Sequence, residues 1–169
     1  MPLFEPLFRA LNDAQARYVV VGGVATVLHG YARFTADVDL VIDLDPTEAR
    51  KVLDVLTRLG LDPRAPVAAA DFANPDIRAD WVQTKNMQVF SMVDHHNPMR
   101  VVDLFVEHPI DFDELWAASK LVQLETTPVR IASLDHLIRL KRLAGRPQDL
   151  IDIEKLEEIF GTSEEENGD

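Results

Sequence analysis

The chain has 169 residues, no cysteine, 47% hydrophobic residues and 27% charged residues. This composition is close to the globular average, so it excludes disordered, fibrous and disulfide-stapled classes of protein. The 17 basic and 29 acidic residues give a net charge of -12, which repels long polyanions and disfavours nonspecific binding to duplex DNA.

The apolar runs and the first residues bear on location. Residues 1–6 contain no basic cluster of the kind that opens a secretory signal. No apolar run approaches the roughly 18 residues that span a bilayer. We therefore expect a cytoplasmic protein with no membrane partner.

The first part of the chain alternates between helical and extended patterns. In chain order we predict a helix over 3–16, a buried strand over 18–21, a short helix over 24–29, a strand over 36–42 and an amphipathic helix over 46–59. The first strand ends at Gly22 and Gly23, which favour a tight turn into the following helix. Residues 61–73 are rich in proline and alanine and are predicted to be a connector.

The second part of the chain continues the alternation and ends in helices. We predict a helix over 74–85, adjacent strands over 87–93 and 100–107, a helix over 111–119, a two-stranded piece over 120–131, and helices over 133–143 and 147–160. The turn at residues 94–98 contains asparagine and proline, so the two strands beside it are expected to form a hairpin. His95 and His96 fall in that turn, where we expect a structural role.

These elements predict one α/β (α+β) domain with a mixed sheet flanked by helices. We assign residues 1–160 to it, with a core over 1–131 and a helical C-terminal extension over 133–160. Residues 161–169 are polar and acidic and are predicted to be a flexible tail. The tryptophans, Trp81 and Trp116, have aliphatic neighbours at helical spacing, so we expect them in the core.

Two carboxylates on the second strand are the first candidates for chemistry. Five pairs of acids at this spacing occur in the sequence, about the number expected by chance, so spacing alone does not select one. Asp37 and Asp39 are distinguished because they share one face of a strand whose other face is apolar. Like charges so placed favour a bound cation, and Mg²⁺ is held by one or two carboxylates together with substrate phosphates. Calcium in a structural module is the weaker alternative, because these acids lack a compact loop of further oxygens.

Two other features suit an anion. Without β-carbons, Gly22 and Gly23 let a phosphate approach the backbone at a strand-to-helix turn, although a glycine pair alone also fits an ordinary turn. Residues 136–148 contain four basic residues and no carboxylate. This basic stretch is either an anion site or a solvated helix face.

Together these features resemble a known signature. Residues 22–39 contain two glycines, a His-Gly pair, an arginine, a threonine and an acid-hydrophobic-acid strand: Gly22-Gly23, His29-Gly30, Arg33, Thr35 and Asp37-Val38-Asp39. This run resembles the signature of the DNA polymerase beta-like nucleotidyltransferase superfamily, and more narrowly that of the abortive-infection nucleotidyltransferase toxins. Residues 133–152 are similar to the helical pair that closes those proteins.

The resemblance implies a nucleotidyltransferase-like fold and an enzyme that transfers a nucleoside monophosphate from a nucleoside triphosphate to a hydroxyl. Two Mg²⁺ ions would be held by Asp37 and Asp39, with Asp103 on a neighbouring strand as third ligand and proton acceptor. The residues implied to contact the nucleotide are Gly22, Gly23, Arg33, Lys141, Arg142 and Arg146. His29 is interpreted as structural.

The resemblance leaves the acceptor and the activity open. A tRNA, a protein side chain and a small molecule such as an antibiotic are all acceptors within the superfamily, and an antitoxin protein is a candidate partner. The alternative is a catalytically silent relative that binds a nucleotide or a partner protein.

Overall fold

The structure, a computed structural model, describes the backbone of residues 1–166 and the side chains of residues 1–161. Seven strands within these residues form one sheet: β1 Tyr18–Val21, β2 Asp37–Ile42, β3 Asp62–Pro63, β4 Val89–Val93, β5 Val101–Phe105, β6 Lys120–Gln123 and β7 Pro128–Ile131. Their order across the sheet is β3-β4-β5-β2-β1-β7-β6. The sheet is mixed, because β2 is parallel to β5 and β1 to β7 while the other neighbours are antiparallel.

Helices surround this sheet in the described part of the chain. They are α1 Glu5–Asp13, α2 Gly22–Leu28, α3 Pro46–Arg58, α4 Pro75–Lys85, α5 Phe112–Ala118, α6 Leu134–Ala144 and α7 Pro147–Glu166, with a 3₁₀ helix at Ala69–Ala73. The α/β (α+β) fold class, the mixed sheet and the helical C-terminal extension are thereby confirmed. None of these helices is both long and apolar enough to cross a membrane.

Several boundaries and two short elements differ from the sequence prediction. Helix α1 ends at Asp13 because Gln15 adopts a left-handed φ of 54°. Helix α2 begins on the glycine pair itself. The predicted connector contains β3, which forms because residues 62 and 63 pair with the end of β4, and it also contains the 3₁₀ helix.

The end of α7 also differs from the sequence prediction. This helix continues through residues 161–166, which were predicted to begin a flexible acidic tail. The glutamates of this segment are good helix formers, which favours the continuation. Residues 167–169, the rest of that predicted tail, lie outside the described residues.

The predicted hairpin is present as the antiparallel pair β4 and β5. Its turn is held by Asp94, whose carboxylate accepts hydrogen bonds from the backbone of His96 and Asn97 and pairs with Arg100 at 2.8 Å. His95 and His96 therefore lie in a turn, as predicted.

Both faces of the sheet are covered, but one face is polar at its centre. On β2, Val38, Leu40 and Ile42 are fully buried on one side, while Asp37 and Asp39 lie on the other. Helix α6 packs against α2 and α7 and so covers the side of the acids. The fold thus brings the C-terminal helices over the strand that carries the two carboxylates.

The tryptophans have different environments. Trp81 is 3% exposed and stacks on Phe90 with ring centroids 5.2 Å apart, which confirms its predicted place in the core. Trp116 is partly buried against the core, with the guanidinium of Arg130 4.1 Å from its ring centroid and that of Arg17 5.2 Å away. Trp116 therefore packs against two guanidinium groups at the border of the core.

Replacing Trp81 by alanine should lower the free energy of unfolding by about 3–5 kcal/mol, because a buried aromatic side chain is lost from a packed core. Urea denaturation measures this change. A loss below about 1 kcal/mol would contradict the assignment of Trp81 to the core.

Candidate active site

Three carboxylates lie side by side on neighbouring central strands. In the parallel pair of β2 and β5, Asp39 is directly opposite Asp103, and Asp37 precedes Asp39 by two residues. Side chains opposite each other, and two residues apart on a strand, point to the same face of a sheet. The third acid therefore lies on the strand next to the other two, where sequence reasoning placed it.

The proximity of these acids is visible in their electrostatics. Burial, followed by repulsion from Asp103 and then Asp37, raises the pKa of Asp39 to about 7. Burial and then Asp103 also raise the pKa of Asp37, while Arg64 opposes that shift. Ionisation of Asp37 and Asp39 therefore costs free energy, and a bound cation would reduce this cost.

A serine on β4 fixes one of the acids. The hydroxyl of Ser91 donates a hydrogen bond of 2.5 Å to the carboxylate of Asp103, which lies directly opposite it. Sequence reasoning missed Ser91. It became significant only through the pairing register of the hairpin.

The glycine pair lies beside this row of acids. Gly22 has a φ of +65°, and a Cβ at this position would collide with the carboxylate of Asp39. A Cβ on Gly23 would collide with the hydroxyl of Thr35 and come within 3.3 Å of the guanidinium of Arg33. The pair therefore lets the start of α2 approach the acids of β2 and the loop before them.

A buried carboxylate on α7 joins distant parts of the chain. Asp152 is fully buried and accepts hydrogen bonds from Arg33 at 2.7 and 2.8 Å and from Lys141 at 2.7 Å. Gln148 donates a further bond of 2.9 Å. The loop before β2 and helix α6 are thereby tied to α7 through one side chain.

Asp152 remains ionised in this position. Burial alone would raise its pKa, but the hydrogen bonds from the two cations and from Gln148 hold the pKa below its ordinary value. The sequence did not identify Asp152 as the partner of Arg33 and Lys141, because Asp152 and Glu154 form one of five acid pairs with the same spacing. Its position within the second resembling block, residues 133–152, was the available signal.

Two of the predicted cations lie at the same cavity as the acids. Lys141 is 4% exposed, and its ammonium group is 3.9 Å from the carboxylate of Asp149. Arg146 pairs with Asp149 at 2.8 Å, but its side chain is 74% exposed. Both cations lie near enough to Asp39 to oppose the rise in its pKa.

The remaining predicted site residues lie elsewhere. Arg142 pairs with Glu157 at 2.9 Å on the exposed side of α6 and lines a separate groove with Phe160, so it is not grouped with Lys141 and Arg146. The imidazole Nε2 of His29 donates a hydrogen bond of 2.8 Å to the carbonyl of Ala132, which agrees with its structural interpretation.

A cavity of about 300 Å³ opens over the acids, between the sheet and α6. Its charged lining residues are Asp39, Asp103, Lys141, Arg146 and Asp149. Its apolar lining residues include Val89, Phe105, Leu137, Leu140 and Ala144, and Gln88 is an uncharged polar residue of the lining. An anion and an uncharged group can therefore lie next to each other in one cavity.

The donor set can be compared with what Mg²⁺ requires. The described residues contain no preassembled group of three acidic or histidine side chains that could hold a metal ion. The residues present nevertheless fit the ion, because Mg²⁺ commonly takes one or two carboxylates and completes its octahedron with waters and substrate phosphates. The repulsion between Asp39 and Asp103 is the observation that favours such a cation.

Comparison with known proteins identifies the class of fold. At the level of sequence, no protein-family model and no curated protein matches the chain. Its three-dimensional arrangement is that of nucleotidyltransferases.

Three solved structures illustrate this likeness. The lincosamide antibiotic adenylyltransferase LnuA, solved with lincomycin bound, superposes with a TM-score of 0.59 at 16% identity over 92% of this chain and 94% of that chain. ANT(2″)-Ia, solved with adenylyl-2″-tobramycin, gives 0.59 at 14% identity over 92% and 85%. An antigenic nucleotidyltransferase-like protein from Paracoccidioides brasiliensis gives 0.58 at 19% identity over 92% and 73%.

The raised pKa of Asp39 predicts a pH dependence of stability in the metal-free protein. Between its unfolded pKa near 4 and its folded pKa of about 7, the folded state binds more protons, so the free energy of unfolding falls as pH rises through this window. Asp39→Asn removes this loss of stability. It should therefore raise the melting temperature at pH 8, by about 2–4 °C for each kcal/mol regained in the free energy of unfolding.

The measurement is thermal unfolding at pH 4 and pH 8 in EDTA. Asp80→Asn, a change of an exposed acid on α4, serves as the matched control and should leave both melting temperatures almost unchanged. A lower melting temperature of Asp39→Asn at pH 8 would contradict the repulsion inferred for the acid row.

The buried network makes a second prediction. Asp152→Asn keeps the shape of the side chain but leaves Lys141 buried without its closest anion, so the free energy of unfolding should fall by about 3–5 kcal/mol. Glu157→Gln removes the partner of Arg142 from an exposed pair on the same helix and should cost less than about 1 kcal/mol. Denaturant titration of both variants measures the difference, and equal losses would refute the role given to Asp152.

Proposed function

We propose that this protein is a magnesium-dependent nucleotidyltransferase that moves a nucleoside monophosphate from a nucleoside triphosphate to a hydroxyl group. The observation that carries the proposal is the row formed by Asp39 and Asp103 on adjacent strands, beside the glycine pair and below Lys141. The likeness of the fold to nucleotidyltransferases supports it.

Asp37, Asp39 and Asp103 are the residues that would hold two Mg²⁺ ions. When bound, such ions neutralise the charge that develops on the phosphate oxygens during an in-line displacement. Asp103 would receive the proton of the acceptor hydroxyl, and the hydrogen bond from Ser91 orients its carboxylate for that step.

The triphosphate would lie between the start of α2 and the beginning of α7. Lys141 supplies a buried positive charge there, and exposed Arg146 can release Asp149 to meet a phosphate. Arg33 would act through Asp152 rather than by direct contact, because its guanidinium is already engaged in two hydrogen bonds to that carboxylate. Arg142 lies outside this arrangement.

The narrower assignment follows the resemblance of the sequence. We propose a relationship to the abortive-infection nucleotidyltransferase toxins, with an antitoxin protein as partner and a cytoplasmic location, where nucleoside triphosphates are abundant. LnuA is a lincosamide antibiotic adenylyltransferase, and ANT(2″)-Ia forms a complex with adenylyl-2″-tobramycin. A small molecule is therefore one acceptor class that we propose for this chain, beside tRNA and protein.

Binding of a nucleoside triphosphate with Mg²⁺ should stabilise the protein against heat. A ligand at 100 times its dissociation constant adds about 2.7 kcal/mol to the free energy of unfolding. The stabilisation should disappear in Asp39→Asn and persist in Asp80→Asn, which changes the same charge outside the cavity. Thermal unfolding with ATP, GTP, CTP and UTP, each with and without Mg²⁺, measures the effect and identifies the preferred base.

Transfer is tested by incubating the protein with α-labelled triphosphates, Mg²⁺ and cell extract. We expect an acceptor in the extract to become labelled by the wild type and not by Asp103→Asn. Stabilisation by the nucleotide without any labelled product would support the silent nucleotide-binding relative instead. Equal stabilisation of the wild type and Asp39→Asn would overturn the proposed metal site.

A further inference from the structure

Beyond the acids and Ser91, the same row of the sheet continues to Arg64. Pro63 is opposite Met92, so the next residue, Arg64, is opposite Ser91, and its backbone N–H donates to the Ser91 carbonyl at 2.9 Å. Ser91 is opposite Asp103, which is opposite Asp39. Residues opposite each other in a sheet share a face, so Arg64 begins on the face that carries the acids.

Arg64 differs from the other basic residues near the cavity. Lys141, Arg146 and Arg33 are each paired with a carboxylate of α7. The side chain of Arg64 is exposed and makes no ion pair or hydrogen bond to any residue in the described part of the chain. Its position after β3 nevertheless lies on the face of the acid row, two strands from Asp103.

The row therefore has two cationic flanks with the acids between them. Lys141 and Arg146 lie on the flank of Asp39, and Arg64 lies on the flank of Asp103, beyond Ser91. An in-line displacement at phosphorus requires the attacking and leaving oxygens on opposite sides. If the leaving phosphates lie by Lys141, the acceptor approaches from the flank of Arg64.

We propose that Arg64 is an acceptor-binding residue and that the acceptor is a hydroxyl compound that also carries a phosphate group. This inference rests on the proposed function and names the substrate class of the same site. A guanidinium binds phosphate through paired hydrogen bonds, whereas it repels a polycationic acceptor such as an aminoglycoside. The phosphate belongs either to a small ester or to the end of a polynucleotide.

The groups already named account for each bond and for the proton in the transfer step. The acceptor's hydroxyl oxygen forms a bond to the α-phosphorus, and the bond from that phosphorus to the oxygen of the β-phosphate breaks. Pyrophosphate leaves on the flank of Lys141, and the hydroxyl proton passes to the carboxylate of Asp103. Arg64 takes no part in the bond changes and serves to hold the acceptor.

The test measures acceptor binding separately from nucleotide binding. Glycerol 3-phosphate and a short single-stranded oligonucleotide with a free 3′-hydroxyl are titrated into the full chain in the presence of Mg²⁺ and a non-hydrolysable triphosphate analogue. We expect at least one probe to bind the wild type and to bind Arg64→Gln about tenfold to a hundredfold more weakly, the loss typical of a charge-assisted hydrogen bond. The probe that responds identifies the source of the phosphate.

Arg50→Gln is the matched control, because Arg50 is an exposed arginine on helix α3 and not on the strand row that carries the acids, and its binding should equal that of the wild type. Arg64→Gln should retain the full stabilisation by triphosphate and Mg²⁺. Loss of that stabilisation would place Arg64 on the nucleotide side and overturn the inference while leaving the proposed function intact.

Three further outcomes would also overturn it: neither phosphate probe binds, Arg64→Gln binds the probes as tightly as the wild type, or tobramycin binds more tightly than both probes. A fall in melting temperature of Arg64→Gln with unchanged probe binding would mean that Arg64 only offsets the repulsion of the acids. Failure of the proposed function is recognised separately, by a triphosphate that stabilises Asp39→Asn as much as the wild type.

Discussion

The site depends on two carboxylates that the sheet holds directly opposite each other. Like charges so placed destabilise a sheet, and burial removes much of the water that would screen Asp39 from Asp103. This repulsion lies at the centre of the sheet. The positive charges of Lys141 and Arg146 across the cavity offset it only in part. An arrangement of this kind gains free energy when cations bind, as the proposed metal site requires.

The second constraint is the buried carboxylate of Asp152, which brings together residues 119 positions apart in sequence. Its hydrogen bonds fix Arg33 in the loop before the acids and Lys141 in the helix above them. Two cations from distant parts of the chain therefore share one anion beside the cavity. The glycine pair at the start of α2 is a further constraint on the site, because any β-carbon at Gly22 would displace the carboxylate of Asp39.

Local pattern predicted most elements because each depends on residues close in sequence. Alternation predicted β2, and Ser133 marked the start of α6, where its hydroxyl accepts a hydrogen bond from the backbone of His136. The two-residue strand β3 was not predictable, since it exists only by pairing with the end of β4. For the same reason, no sequence signal linked Ser91 to Asp103. Arg142 and Arg146 looked equivalent in the basic stretch, and only the turn at Gly145, with its φ of 62°, separates them onto different sides.

In the function we propose, phosphates and metal ions would lie at the centre of the sheet, and the acceptor would lie nearer its edge. The acids, the glycines and Lys141 lie on central strands or their covering helices, where packing from both sides determines their positions. β4 and β3 form one edge, and an exposed side chain there can change without disturbing the acid row. In the arrangement we propose, acceptor specificity would depend on the charge at this edge, where the guanidinium of Arg64 lies beyond Ser91.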